Sequence, residues 1–64
     1  DLRFVYEGNE YYFLSTDNYV AQCDEKFTNE LQRYVDGNDV LERFTIKGVR
    51  LLDLIPFLTD VEAI

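Results

Sequence analysis

The side chains able to do chemistry in this sequence are carboxylates, and three pairs stand close in the chain: Glu7/Glu10, Asp24/Glu25 and Asp36/Asp39. Two carboxylates perform general acid–base work when a cleft holds them with separated pKa values. Each of these pairs falls at an expected turn, helix flank or loop, where carboxylates are solvated. Nucleophilic catalysis lacks its usual base. The sequence has no histidine, which removes Ser–His, Cys–His and His–metal arrangements. Ser15, the only serine, sits at an expected helix cap. Cys23, the only cysteine, falls among apolar positions, where a free thiol behaves as a small hydrophobe. A reactive thiolate needs exposure and a neighbouring positive charge. Asp36-Gly37-Asn38-Asp39 invites a calcium reading. An EF-hand loop, however, places its glycine after several oxygen ligands, and here the glycine comes early and Val40 stands where a ligand is required. The residues predict a protein that is not an enzyme and takes no metal or cofactor.

The carboxylates matter more as a field. Acidic residues number 13 against 6 basic ones, for a net charge of -7. Residues 1–42 hold 10 of the acids and 3 of the bases, so that stretch carries the whole excess and the remainder is neutral. An acidic surface speeds encounter with basic partners and makes binding salt-sensitive. It disfavours direct nucleic-acid binding, which needs a basic footprint, and docking on anionic membranes. The acids expected to face a partner are Glu7 and Glu10 at a hairpin tip and Asp36, Asp39 and Glu42 around a loop, with Tyr12 as an aromatic anchor.

The elements that position these residues follow from patterning. At 64 residues, 1–64 reads as a single small domain near the lower limit for independent folding. With one cysteine no internal disulfide is possible, so the core must be dense or completed by a partner. Hydrophobic residues make up 47% and aromatics 16%, enough for a core and too much for a disordered chain. Leu2–Leu14 reads as a β-hairpin turning at Gly8-Asn9, which would set Phe4 opposite Phe13 and Val5 opposite Tyr12. Its core face carries Leu2, Phe4, Tyr6, Tyr11 and Phe13; its other face, with Arg3, Val5, Tyr12 and Leu14, is half-apolar. Val20, Cys23, Phe27, Leu31 and Tyr34 have helical spacing, predicting one long amphipathic helix from about Asp17 to Asp36. The Asp36–Asp39 loop would stop it. A competing reading makes Tyr19–Cys23 a third strand and starts the helix at Asp24. Glu42–Ile46 alternates as a strand that turns at Lys47-Gly48. Residues 49–58 read either as a helix ended by Pro56 or as a fourth strand, Val49–Leu54.

The predicted class is therefore α+β: an N-terminal hairpin, one long helix, a further antiparallel strand and a short C-terminal helix or strand. With a fourth strand, the element order β-β-α-β-β resembles the β-grasp topology of ubiquitin-like folds and small immunoglobulin-binding domains. No family motif accompanies that order, so no functional residues carry over.

The predicted function is protein binding, as an acidic inhibitor or adaptor on a basic surface of a nucleic-acid-processing protein. Small proteins of viruses and mobile elements that inhibit host nucleases share this size and acidity. The alternative is a dimerisation or assembly module. It would use the apolar residues that one helix-on-sheet core leaves over: Val5, Tyr12 and Leu14 on the hairpin, and Leu52, Phe57, Leu58, Val61 and Ile64 in the tail. Either the tail folds over the outer hairpin face and each covers the other, or these residues form a homodimer or partner interface. A lone thiol leans towards a reducing, cytoplasmic compartment.

Overall fold

The computed structural model describes residues 1–64. Its centre is a five-stranded antiparallel sheet, topped on one face by two short helices and a small ribbon. Strand β1 (Leu2–Tyr6) pairs with β2 (Asn9–Ser15), followed by β3 (Val20–Cys23) and β4 (Glu30–Tyr34). Helix α1 (Gly37–Arg43) leads to a two-stranded ribbon, β5 (Thr45–Ile46) and β6 (Val49–Arg50). Helix α2 (Leu51–Leu54) and a single 3-10 turn (Ile55–Phe57) then return the chain to β7 (Thr59–Ala63). The large sheet runs β4-β3-β2-β1-β7.

The first hairpin forms as expected, but its register differs. Leu2 faces Phe13, Phe4 faces Tyr11 and Tyr6 faces Asn9. The turn is Glu7-Gly8, with φ of 50° and 78°, rather than Gly8-Asn9. Two positive φ values define the primed turn that matches strand twist, and glycine takes its second position without a steric cost. Moving the turn back one residue slides the partners by two. Because side chains alternate with a period of two, every residue keeps its face. A turn at Gly8-Asn9 would have set Glu7 opposite Glu10; instead Glu10 stands across from Val5.

The long helix from Asp17 to Asp36 does not form, and neither does a helix from Asp24. Two strands occupy that stretch, joined by loops that Thr16 and Asp24 hold together. The Thr16 hydroxyl oxygen accepts from the backbone N–H of Asn18 and Tyr19 at 3.2 and 3.0 Å. Asp24 accepts from the Thr28 N–H and from the Asn29 amide, both at 2.9 Å. Short polar side chains of this kind offer the backbone an alternative to helical bonding. Cys23 lies in β3, as the competing third-strand reading places it.

The helix begins where it was expected to end. Asp36 is its N-cap: the carboxylate accepts from the Asp39 N–H at 2.9 Å, satisfying one orphan donor of the first turn. Glu42, expected to open a strand, is helical, and the strand shrinks to Thr45–Ile46. Lys47-Gly48 is the predicted turn, with φ of 53° and 81°. Residues 49–58 divide between the two readings: Val49–Arg50 is strand, Leu51–Leu54 is helix, and Pro56 lies in the 3-10 turn. The tail does not fold over the outer hairpin face. It lengthens the sheet beside β1, setting Leu2 opposite Ala63 and Val5 opposite Thr59, with a bulge between Arg3 and Val5. The β-grasp order is therefore not observed.

The main core lies between sheet and helices. Phe4, Phe13 and Tyr34 from the sheet meet Val40, Phe44 and Leu51 from above. Phe44 stands edge-on to Phe13, Tyr11 and Tyr34, at ring-centre distances of 5.2, 5.8 and 6.5 Å, a favoured aromatic geometry. The opposite face buries Ala21 and Cys23, which stand opposite Leu14 and Tyr12 in the ladder. Phe27 reaches back from its loop and packs edge-on to Tyr12 at 5.7 Å. On the half-apolar outer hairpin face, the β3–β4 loop thus packs against Tyr12. No helix is long and apolar enough to cross a membrane.

Candidate partner-binding surface

The carboxylates singled out in the sequence are mostly engaged within the chain. Glu7 meets Lys47 at 3.5 Å, linking the two primed turns. Glu10 receives the Arg3 guanidinium at 2.8 Å and the Tyr12 hydroxyl. The Tyr12 hydroxyl and then the Arg3 guanidinium hold the Glu10 carboxyl below the usual range, and Glu10 in turn pushes the Tyr12 hydroxyl up. Asp39 receives Arg43 at 2.7 Å and the Val35 N–H at 2.8 Å. The Arg43 guanidinium first, and that N–H second, bring the Asp39 carboxyl down to about 2. Glu42 takes one arm of Arg50 at 2.8 Å, while Asp53 takes another at 3.2 Å. Among the five selected carboxylates, Asp36 alone forms no ion pair.

These residues do not gather into one site. Glu7 sits at the hairpin tip, Glu10 and Tyr12 share the outer sheet face, and Asp36 and Asp39 stand at the start of α1. On the outer face Arg3 bridges Glu10 and Glu62, the latter at 3.0 Å. Arg33 bonds Glu30 at 2.7 Å and lies over the Tyr19 ring at 4.1 Å. The Cys23 thiol is buried, and desolvation pushes its pKa up, the reverse of an activated thiolate.

Of the six cationic side chains, Lys26 alone forms no ion pair; the five others engage seven carboxylates. Six carboxylates are left without a cation: Asp1, Asp17, Asp24, Glu25, Asp36 and Asp60. Asp24 organises its own loop, as described above.

Two of the remaining group, Asp1 and Asp36, border a groove of about 650 Å³. It lies where the Asp1 end of β1, the Ser15 end of β2 and the start of β3 meet the first turn of α1. Leu2, Phe13, Val20, Val40, Leu41 and Leu51 line it, and Asp1 and Asp36 are its only charged side chains. Sequence reasoning selected Asp36 for its place in a loop. It missed Asp1 and Leu41, which a linear pattern does not bring near Val20.

A second feature is apolar. Ile55, Phe57, Val61 and Ile64 are exposed at 47, 67, 58 and 62%, on and around the 3-10 turn and β7.

Geometry thus defines an α+β chain with an antiparallel sheet, an acidic surface and one apolar groove. Comparison with family models, with curated proteins and with solved structures returned no match.

Proposed function

We propose that this chain is a small acidic binding domain that docks on a basic protein surface, of the kind nucleic-acid-processing proteins present, and acts as an inhibitor or adaptor there. One observation carries the reading. Internal ion pairs occupy every cationic side chain except Lys26 and leave six carboxylates unpaired, so the charge left to face a partner is predominantly carboxylate. Complementary charge raises the rate of encounter and suppresses acidic competitors.

The test is capture from an extract of the source cells on the immobilised protein, followed by elution with rising salt. A basic protein that leaves at moderate salt supports the reading. A captured protein that is acidic, or that stays bound at high salt, refutes it.

The exposed Ile55, Phe57, Val61 and Ile64 favour a second reading, an assembly module that self-associates through apolar surface. Sedimentation separates the two: a dimer that persists at high salt supports assembly, and a monomer at high concentration counts against it.

A further inference from the structure

We infer that the groove between α1 and the Asp1/Ser15 end of the sheet binds a cationic, leucine-containing segment of the partner protein. The inference rests on the proposed function and assigns it a place. At about 650 Å³ the groove falls in the range of ligand-binding clefts, roughly 300–1,000 Å³. Its floor is aliphatic and aromatic, and the two charged side chains at its rim are both carboxylates.

The two rim carboxylates are held in place yet retain capacity. One Asp36 oxygen accepts from the Asp39 N–H at 2.9 Å, and one Asp1 oxygen accepts from the Ser15 N–H at 3.4 Å. The second oxygen of each has no hydrogen-bond partner in the chain. At Glu10 and Asp39 an arginine from the chain itself takes this role, Arg3 for the first and Arg43 for the second. At the groove a cation from outside fills it.

Arginine and lysine lay their methylene stems on apolar surface while the charged head reaches a polar edge. A guanidinium also matches a carboxylate in geometry. A leucine beside it fits the floor. The same rim repels phosphate and disfavours a second copy of this chain, whose net charge is also -7.

The probes are acetyl-Arg-Leu-Leu-Arg-amide and its citrulline counterpart, which keeps shape and loses charge. Each is titrated into the labelled protein and followed by amide NMR. The arginine peptide should shift Val20, Gly37, Asn38 and Leu41, and the citrulline peptide should bind about fivefold more weakly, as two partly exposed ion pairs are lost. Asp36→Asn keeps a capping side chain and removes the charge; it should weaken the arginine peptide about threefold. Ser15→Trp fills the groove from an exposed position and should abolish the shifts, with spectral dispersion showing that the fold persists. Equal binding of the two peptides, or shifts centred on Glu7 or Tyr12 instead, overturns the assignment. If both variants leave salt-sensitive capture of the native partner intact, the groove is refuted and the acidic-binding reading stands. If the groove binds as described but native capture ignores salt, the broader reading fails alone.

Discussion

Asp36 offers α1 both a capping oxygen and a carboxylate charge, and a pair of substitutions separates the two. Its carboxylate caps α1 by accepting the Asp39 N–H at 2.9 Å, and the helix it caps has seven residues. A helix that short is marginal by itself and depends on its cap and on packing of Val40. Asp36→Ala removes the acceptor and leaves an orphan N–H, at a cost of about 1 kcal/mol within a range of roughly 0.5–2. A single core of this size supplies only about 3–5 kcal/mol in total, so the loss is a large fraction of the whole. Thermal unfolding should move down by about 4–8 °C for each kcal/mol. In urea, with a slope of about 1–2 kcal/mol per molar, the midpoint should fall by about 0.5–1 M. Asp36→Asn retains an oxygen acceptor of equal capping rank and should stay within a few tenths of a kcal/mol of the parent. Urea unfolding followed by far-ultraviolet circular dichroism measures both. If alanine and asparagine destabilise equally, charge rather than capping supports the helix. If neither has an effect, α1 does not need this cap and the reasoning fails.

Two further outcomes follow from backbone and charge. Asp39 has a folded pKa of about 2 against about 3.9 in an unfolded chain. Its contribution to stability is therefore complete above about pH 4 and disappears as pH falls through 2; Asp39→Asn should flatten the acid-unfolding profile in that window, and an unchanged profile would contradict the Arg43 pairing. Gly8→Ala and Gly48→Ala place a side chain at φ of 78° and 81° with open space around each, so each should cost about 1–2 kcal/mol through backbone strain alone. Gly37→Ala, where φ is not positive and space is also open, is the contrasting case: a neutral or stabilising result is expected by thermal melting, and a loss like that at Gly8 would undo the argument.

The hairpin was legible because its alternation is strong and one face is almost wholly aromatic. Its register was not, since either side of Gly8 offers a plausible turn, and only the finished ladder shows Glu7 accepting a positive φ. The helix reading failed for a specific reason. Val20 and Tyr34 belong to strands that are neighbours in the sheet, Phe27 lies in the loop between them, and their spacing imitates a helical stripe. Strand β3 masks its own alternation because both its faces are covered: Val20 is half-buried on one, and Ala21 is buried on the other. Asp36 marked a helix boundary correctly but in the wrong direction. An aspartate three residues before another, ahead of Val40-Leu41, is an N-terminal signal as well as a turn signal. For the partner surface, composition gave the sign of the charge. It could not show which carboxylates the chain neutralises itself, because pairs such as Arg3–Glu62 join opposite ends of the sequence.

The pairing of β1 with β7 has a mechanical consequence. The strands are antiparallel, Leu2 stands opposite Ala63, and the Ile64 N–H donates to the Asp1 carbonyl at 2.8 Å. Ladder bonds in such a pair run across the strands. A pull applied to the two ends therefore acts along those bonds and opens them singly, like a zip, instead of shearing the whole ladder at once. A tether through both termini would peel β7 away at low force and uncover the β1 edge. A tether through one terminus and the Lys47-Gly48 turn would not load that seam in the same way.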